Sequence, residues 1–116
     1  MLETLLAALL LLALGGVALA LCSAADALVI AGAWIVAAGL AFGVPTGLVY
    51  HVALHNSLVR AGTLPARWWL RPTAFHPRIP TDDRGWVLAW CSAGAAGFGV
   101  TVLGMLVMAV GAVRML

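Results

Sequence analysis

The chain has 116 residues, of which 65% are hydrophobic and 9% charged, with a formal net charge of +2. Soluble domains carry about a quarter of their residues charged, so this composition excludes a water-soluble domain. The small positive charge likewise excludes a nucleic-acid binder that works through phosphate contacts.

The first apolar run, Leu2 to Leu21, is interrupted only by Glu3. A secretory signal begins with basic residues, and an acid stands there instead. The run therefore reads as a first transmembrane helix over about 3–22, with Gly15-Gly16 tolerated inside it. The polar break from Cys22 to Asp26 is short enough to demand a tight helical hairpin. Asp26 stands where a carboxylate favours the positive end of the next helix dipole.

The second run gives a helix over about 27–50, with its pattern continuing to about 60. Pro45 removes one backbone donor and is expected to kink it. Tyr50 marks a membrane–water interface. Gly62 is expected to cap the end, with Pro65 soon after.

The segment over about 61–84 is the polar part of the chain. It holds Arg67, Arg71, Arg78 and Arg84, just after Arg60, together with Trp68, Trp69 and Phe75. Four prolines, at 65, 72, 77 and 80, exclude a long helix. Arginine alternating with aromatic residues suits a segment lying in the interface, its rings at the acyl boundary and its guanidinium groups on phosphate. Thr81 is expected to act as an N-cap, with Asp82 and Asp83 in the first turn. A third transmembrane helix follows over about 85–113, long enough to be tilted. Trp86 and Trp90 would share the aromatic belt of Tyr50.

The expected fold is thus all-α: one membrane domain of three transmembrane helices, a hairpin plus a third helix, with one interfacial loop. Five of the six arginines fall between positions 60 and 84. The positive-inside rule places that loop in the cytoplasm. Three spans then put the N-terminus inside and the C-terminus outside, in a bacterial inner membrane on this reading. Cys22 and Cys91 would lie toward opposite faces, where no disulfide can join them.

Gly39, Gly43 and Gly47 recur at four-residue spacing, the period that opens a groove for a second backbone. Gly97, Gly104 and Gly111 recur at seven, the period of a left-handed helix crossing. The two stripes either pack on each other within the chain or turn at least one face to another protein.

His51 and His55, four apart, share a helix face. With His76 and Asp82 or Asp83 they could complete a metal site suited to zinc, or they could ligate haem. The plainer reading has them hydrogen-bonded to headgroups, backbone or water, with no cofactor. Counting Glu3, Asp26 and Arg114 as terminal, no charged residue lies inside the spans, which tells against an autonomous pump. No catalytic constellation is visible, so the chain is not expected to be an enzyme.

The leading expectation is a small accessory or scaffold subunit of the membrane. Its glycine faces would pack against the helices of other membrane subunits. Its loop, through Arg60, Arg67, Trp68, Trp69, Arg71 and Arg78, would dock on protein or on anionic membrane lipid. Two other expectations are a redox subunit using His51, His55 and His76, and a homo-oligomeric channel lined by the Gly39-Gly43-Gly47 face.

Overall fold

The computed structural model describes residues 1–116 and contains helices and no strands. Three α-helices, α1 (Leu2–Cys22), α2 (Ala25–Arg60) and α3 (Thr81–Arg114), are each long and apolar enough to cross a membrane. This is the architecture of a small membrane protein. Between α2 and α3 lie a short 3-10 turn, Trp68–Leu70, and a 3-10 helix, Pro72–Arg78. The chain divides into two compact units, Met1–Val36 with Val102–Leu116, and Ala37–Thr101.

In the first unit α1 ends at Cys22, and Ser23, in an extended conformation, turns the chain toward α2. The Ser23 hydroxyl donates to the Leu19 carbonyl at 2.7 Å. Arg114, in the last turn of α3, donates from its guanidinium to the carbonyls of Ala20 and Ser23, the latter at 2.9 Å. A cation on the orphan carbonyls of a helix end satisfies them and complements the dipole. The early part of α2 and the late part of α3 approach through small residues. A Cβ on Gly104 would sit 2.6 Å from the Val36 nitrogen and 2.8 Å from the Gly32 oxygen. On Gly111 it would sit 2.7 Å from the Ala25 oxygen. Only hydrogen fits there. α1, in contrast, contains no buried residue. Apolar grooves of about 350 and 460 Å³ separate it from Leu28, Leu103 and Val107.

In the second unit the glycine stripes meet. A Cβ on Gly97 would fall on the Gly43 Cα, and one on Gly39 would fall on Thr101. One on Gly94 would lie 3.4 Å from the Gly47 Cα. Lipid tails are as apolar as leucine, so helices in a bilayer gain little from burial and associate through close backbone packing. Gly39, Gly43 and Gly97 lie in this way against the other helix of the same chain, with a groove left open beside Gly39, Gly43 and Gly94. α2 runs unbroken through Pro45. Beside the donor that Pro45 lacks, the Thr46 hydroxyl donates to the carbonyls of Phe42 and Gly43 at 2.8 and 3.1 Å.

α2 stops as expected at Gly62, which adopts φ +66°. The Gly62 amide donates to the Val59 carbonyl and the Thr63 amide to the Leu58 carbonyl, at 3.0 Å each. These two bonds form a Schellman motif, which needs a left-handed residue at the turn. At the other end of the loop the helix begins with the Thr81-Asp82-Asp83 segment. α3 starts at Thr81, and its first amides, Asp83 and Arg84, bond to the Pro80 carbonyl. Thr81 is thus the first helical residue and not the cap. Pro80 stands before it as the half-helical residue, and Asp82 and Asp83 keep their place in the first turn.

Candidate functional site: a folded cap on the helix pair

At 1.5 Å per residue, α2 is about 54 Å long and α3 about 51 Å, against a hydrocarbon layer of about 30 Å. The excess length carries a folded cap. Tyr50, Leu54, Leu58, Ile79 and Val87 are buried together, with Ala53, Trp68, Phe75, Trp90 and Cys91 packed against them. The cluster joins the end of α2, the loop and the start of α3. Where such a cluster lies outside the hydrocarbon layer, the hydrophobic effect operates on it as in a soluble protein. Each buried Leu, Ile or Val contributes about 1.5–3 kcal/mol.

The polar side chains hold the cap in register. The Tyr50 hydroxyl and His76 Nε2 are hydrogen-bonded at 2.6 Å, linking α2 to the 3-10 helix. The His51 ring donates from Nδ1 to the Gly47 carbonyl at 2.8 Å. His55 makes a longer contact to Asn56 Oδ1, at 3.4 Å. Trp68 is tilted against both His51 and His55, with ring centroids 6.0 and 5.3 Å apart. Arg60 pairs with Asp83 at 2.8 Å, Arg84 donates to the Ile79 carbonyl at 3.1 Å, and Arg78 lies 5.4 Å from the Phe75 ring centre.

The residues singled out from sequence therefore separate into groups. His51, His55 and Trp68 line one shallow pocket of about 190 Å³ with Val52. His76 is engaged instead with Tyr50, and no three side chains of the His, Cys, Asp and Glu types come together as a ligand set. Arg60, Trp68 and Arg78 have partners inside the cap. Arg67, Trp69 and Arg71 face outward. Both cysteines are free thiols. Sequence reasoning missed the Tyr50–His76 pair, because two residues 26 positions apart leave no periodic signal. It also missed Gly32, whose Cβ would meet Gly104 and Met108. The seven-residue step from Gly32 to Gly39 could have revealed it.

Replacing Tyr50 with Phe removes the hydroxyl and leaves the half-buried His76 Nε2 without this partner. A lost hydrogen bond of this kind costs about 1 kcal/mol, and more when the partner is stranded. Tyr50→Phe should lower the thermal midpoint of the cap transition, followed by near-ultraviolet dichroism in detergent, and leave the helical far-ultraviolet signal in place. An unchanged midpoint would mean that the bond contributes nothing.

No family model, curated protein or solved structure matches this chain.

Proposed function

We propose that this protein is a small accessory or scaffold subunit of the membrane, docking on a partner's transmembrane helices through α1. The observation that carries the reading is the contrast between its helices. α2 and α3 meet backbone to backbone along their glycines, whereas α1 buries no residue at all and is bordered by apolar grooves. A helix tethered by a two-residue turn and the Arg114 contacts, yet packed on nothing closely, has its faces available to another helix.

The part assigned to glycine changes accordingly. Gly39, Gly43, Gly97, Gly104 and Gly111 are occupied within the chain. A Cβ on Gly15 or Gly16 meets nothing within 4 Å. These two positions let a partner backbone come close, in the way small residues serve helix contacts in lipid. The arginine-bearing cap belongs in the cytoplasm by the positive-inside rule, which leaves the C-terminus outside.

The test is native mass spectrometry of the protein released from its own membrane in mild detergent. A heterocomplex that Gly15→Leu/Gly16→Leu abolishes, while the variant remains helical and monomeric, is the expected result. A chain recovered only as monomer or homo-oligomer from that membrane would overturn the proposal.

A further inference from the structure

The outward side of the cap has a composition of its own. Trp69 and Leu70 are 60% and 56% exposed, although Trp68, their neighbour, packs inward. Arg67 and Arg71 bracket them. Between Ala61 and Thr81 the chain contains three arginines and no carboxylate. Of the five arginines near the cap, Arg60, Arg78 and Arg84 are occupied by Asp83, the Phe75 ring and the Ile79 carbonyl. The guanidinium groups of Arg67 and Arg71 have no partner in the chain. Two unpaired cations thus flank an exposed indole and an exposed aliphatic side chain, on helices that already cross a membrane.

We infer that Arg67, Trp69, Leu70 and Arg71 form a site for the headgroup of an anionic phospholipid. The inference rests on the reading that the cap lies at a membrane face. It names the ligand of that face. Guanidinium groups hold a phosphodiester through paired N–H donors, and a basic cluster at the end of a transmembrane helix gains from an anionic leaflet. The apolar pair decides between lipid and an acidic protein segment. Indole and leucine belong at the boundary between headgroups and acyl chains, whereas an acidic segment would leave both in water. Lipid answers the charge and the apolar surface together.

The backbone supplies a clean variant. Arg67 adopts φ 60° and ψ 29°, a left-handed conformation disfavoured for residues with a Cβ and open to glycine. Arg67→Gly therefore removes the guanidinium while easing the turn, so a loss of binding cannot be laid to misfolding. The experiment titrates the full chain in dodecyl maltoside with dioleoylphosphatidylglycerol or dioleoylphosphatidylcholine, counting bound lipid by native mass spectrometry. An interfacial arginine is worth about fivefold in anionic-lipid affinity. Arg67→Gly should weaken phosphatidylglycerol binding by about fivefold, and Arg67→Gly/Arg71→Gln by about 30-fold, with phosphatidylcholine binding unchanged in both. Equal binding of the two lipids by the wild-type chain would overturn the inference, as would a double variant that still prefers phosphatidylglycerol. A wild-type chain that takes up a glutamate-rich peptide ahead of phosphatidylglycerol would also overturn it, in favour of protein docking. The isolated chain is used here and the membrane extract above, so failure of either proposal is read separately from the other.

Discussion

Gly97→Leu should separate α2 from α3 and destabilise the protein by at least about 3 kcal/mol, the upper end of what overpacking a core costs. The added Cβ would land on the Gly43 Cα, and the carbonyl oxygen of Gly39 stands 3.3 Å away on the same side. Backbone atoms cannot rotate aside as a flexible side chain can. The helices must move apart, and the neighbouring contacts at Gly39 and Gly94 open with them. Gly99→Leu, two residues along the same helix, places its Cβ in open space and should change stability by less than about 0.5 kcal/mol. Thermal unfolding of both variants in the same detergent, followed by far-ultraviolet dichroism and by resistance to dodecyl sulfate, gives the comparison. Equal midpoints for the two would mean that Gly97 does not face Gly43.

Ile79→Ala should release the cap while leaving the spans helical. Ile79 is 2% exposed and is the residue by which the loop enters the buried cluster with Tyr50, Leu54, Leu58 and Val87. Truncating a buried isoleucine to alanine costs about 2–5 kcal/mol. A small cluster fed by three chain segments has little else to replace it. Trypsin reports the outcome, because the bonds after the exposed Arg67 and Arg78 can be drawn into a protease only when the loop undocks and its backbone extends, while the bond after Arg71 is protected by Pro72. The expected result is rapid cutting at those two sites in Ile79→Ala and slow cutting in the wild type and in Leu70→Ala, whose side chain is already 56% exposed. Identical cutting rates in all three would show that the loop is not held by its core.

Much of this fold could be read from the chain because bilayer physics leaves few options. Backbone polar groups must be satisfied internally, so three long apolar runs imply three helices, and Gly62 with Pro65 marks where α2 ends. The glycine periods identified the contact surfaces of α2 and α3. Their pairing was open to two answers, since a groove made by hydrogen atoms on Cα says nothing of which backbone fills it. The cap was less legible. Its core draws Leu54 and Leu58 from one helix, Ile79 from an irregular loop and Val87 from another helix, and no single period spans such a set. The histidines show the same limit: the four-residue spacing of His51 and His55 is real, but it places them with Trp68 on one shallow pocket, and His76 is engaged by Tyr50. Arg114 looked like a mere terminal charge, and its bonds to Ala20 and Ser23 join residues more than 90 positions apart.

The glycines of α2 and α3 face each other within one chain, Gly43 against Gly97 and Gly47 against Gly94. Cysteines at 47 and 94, with Cys22 and Cys91 first replaced by serine, test it directly. A Cβ at 94 lies 3.4 Å from the Cα of residue 47, an ordinary contact, and a Cβ at 47 meets open space, so the pair enters without forcing the helices apart. Oxidation of Gly47→Cys/Gly94→Cys in the membrane should give a disulfide inside the monomer, seen as a faster-migrating monomer band that reductant reverses. Disulfide-linked dimers with no internal crosslink would contradict the account and make the glycine stripes an interface between chains.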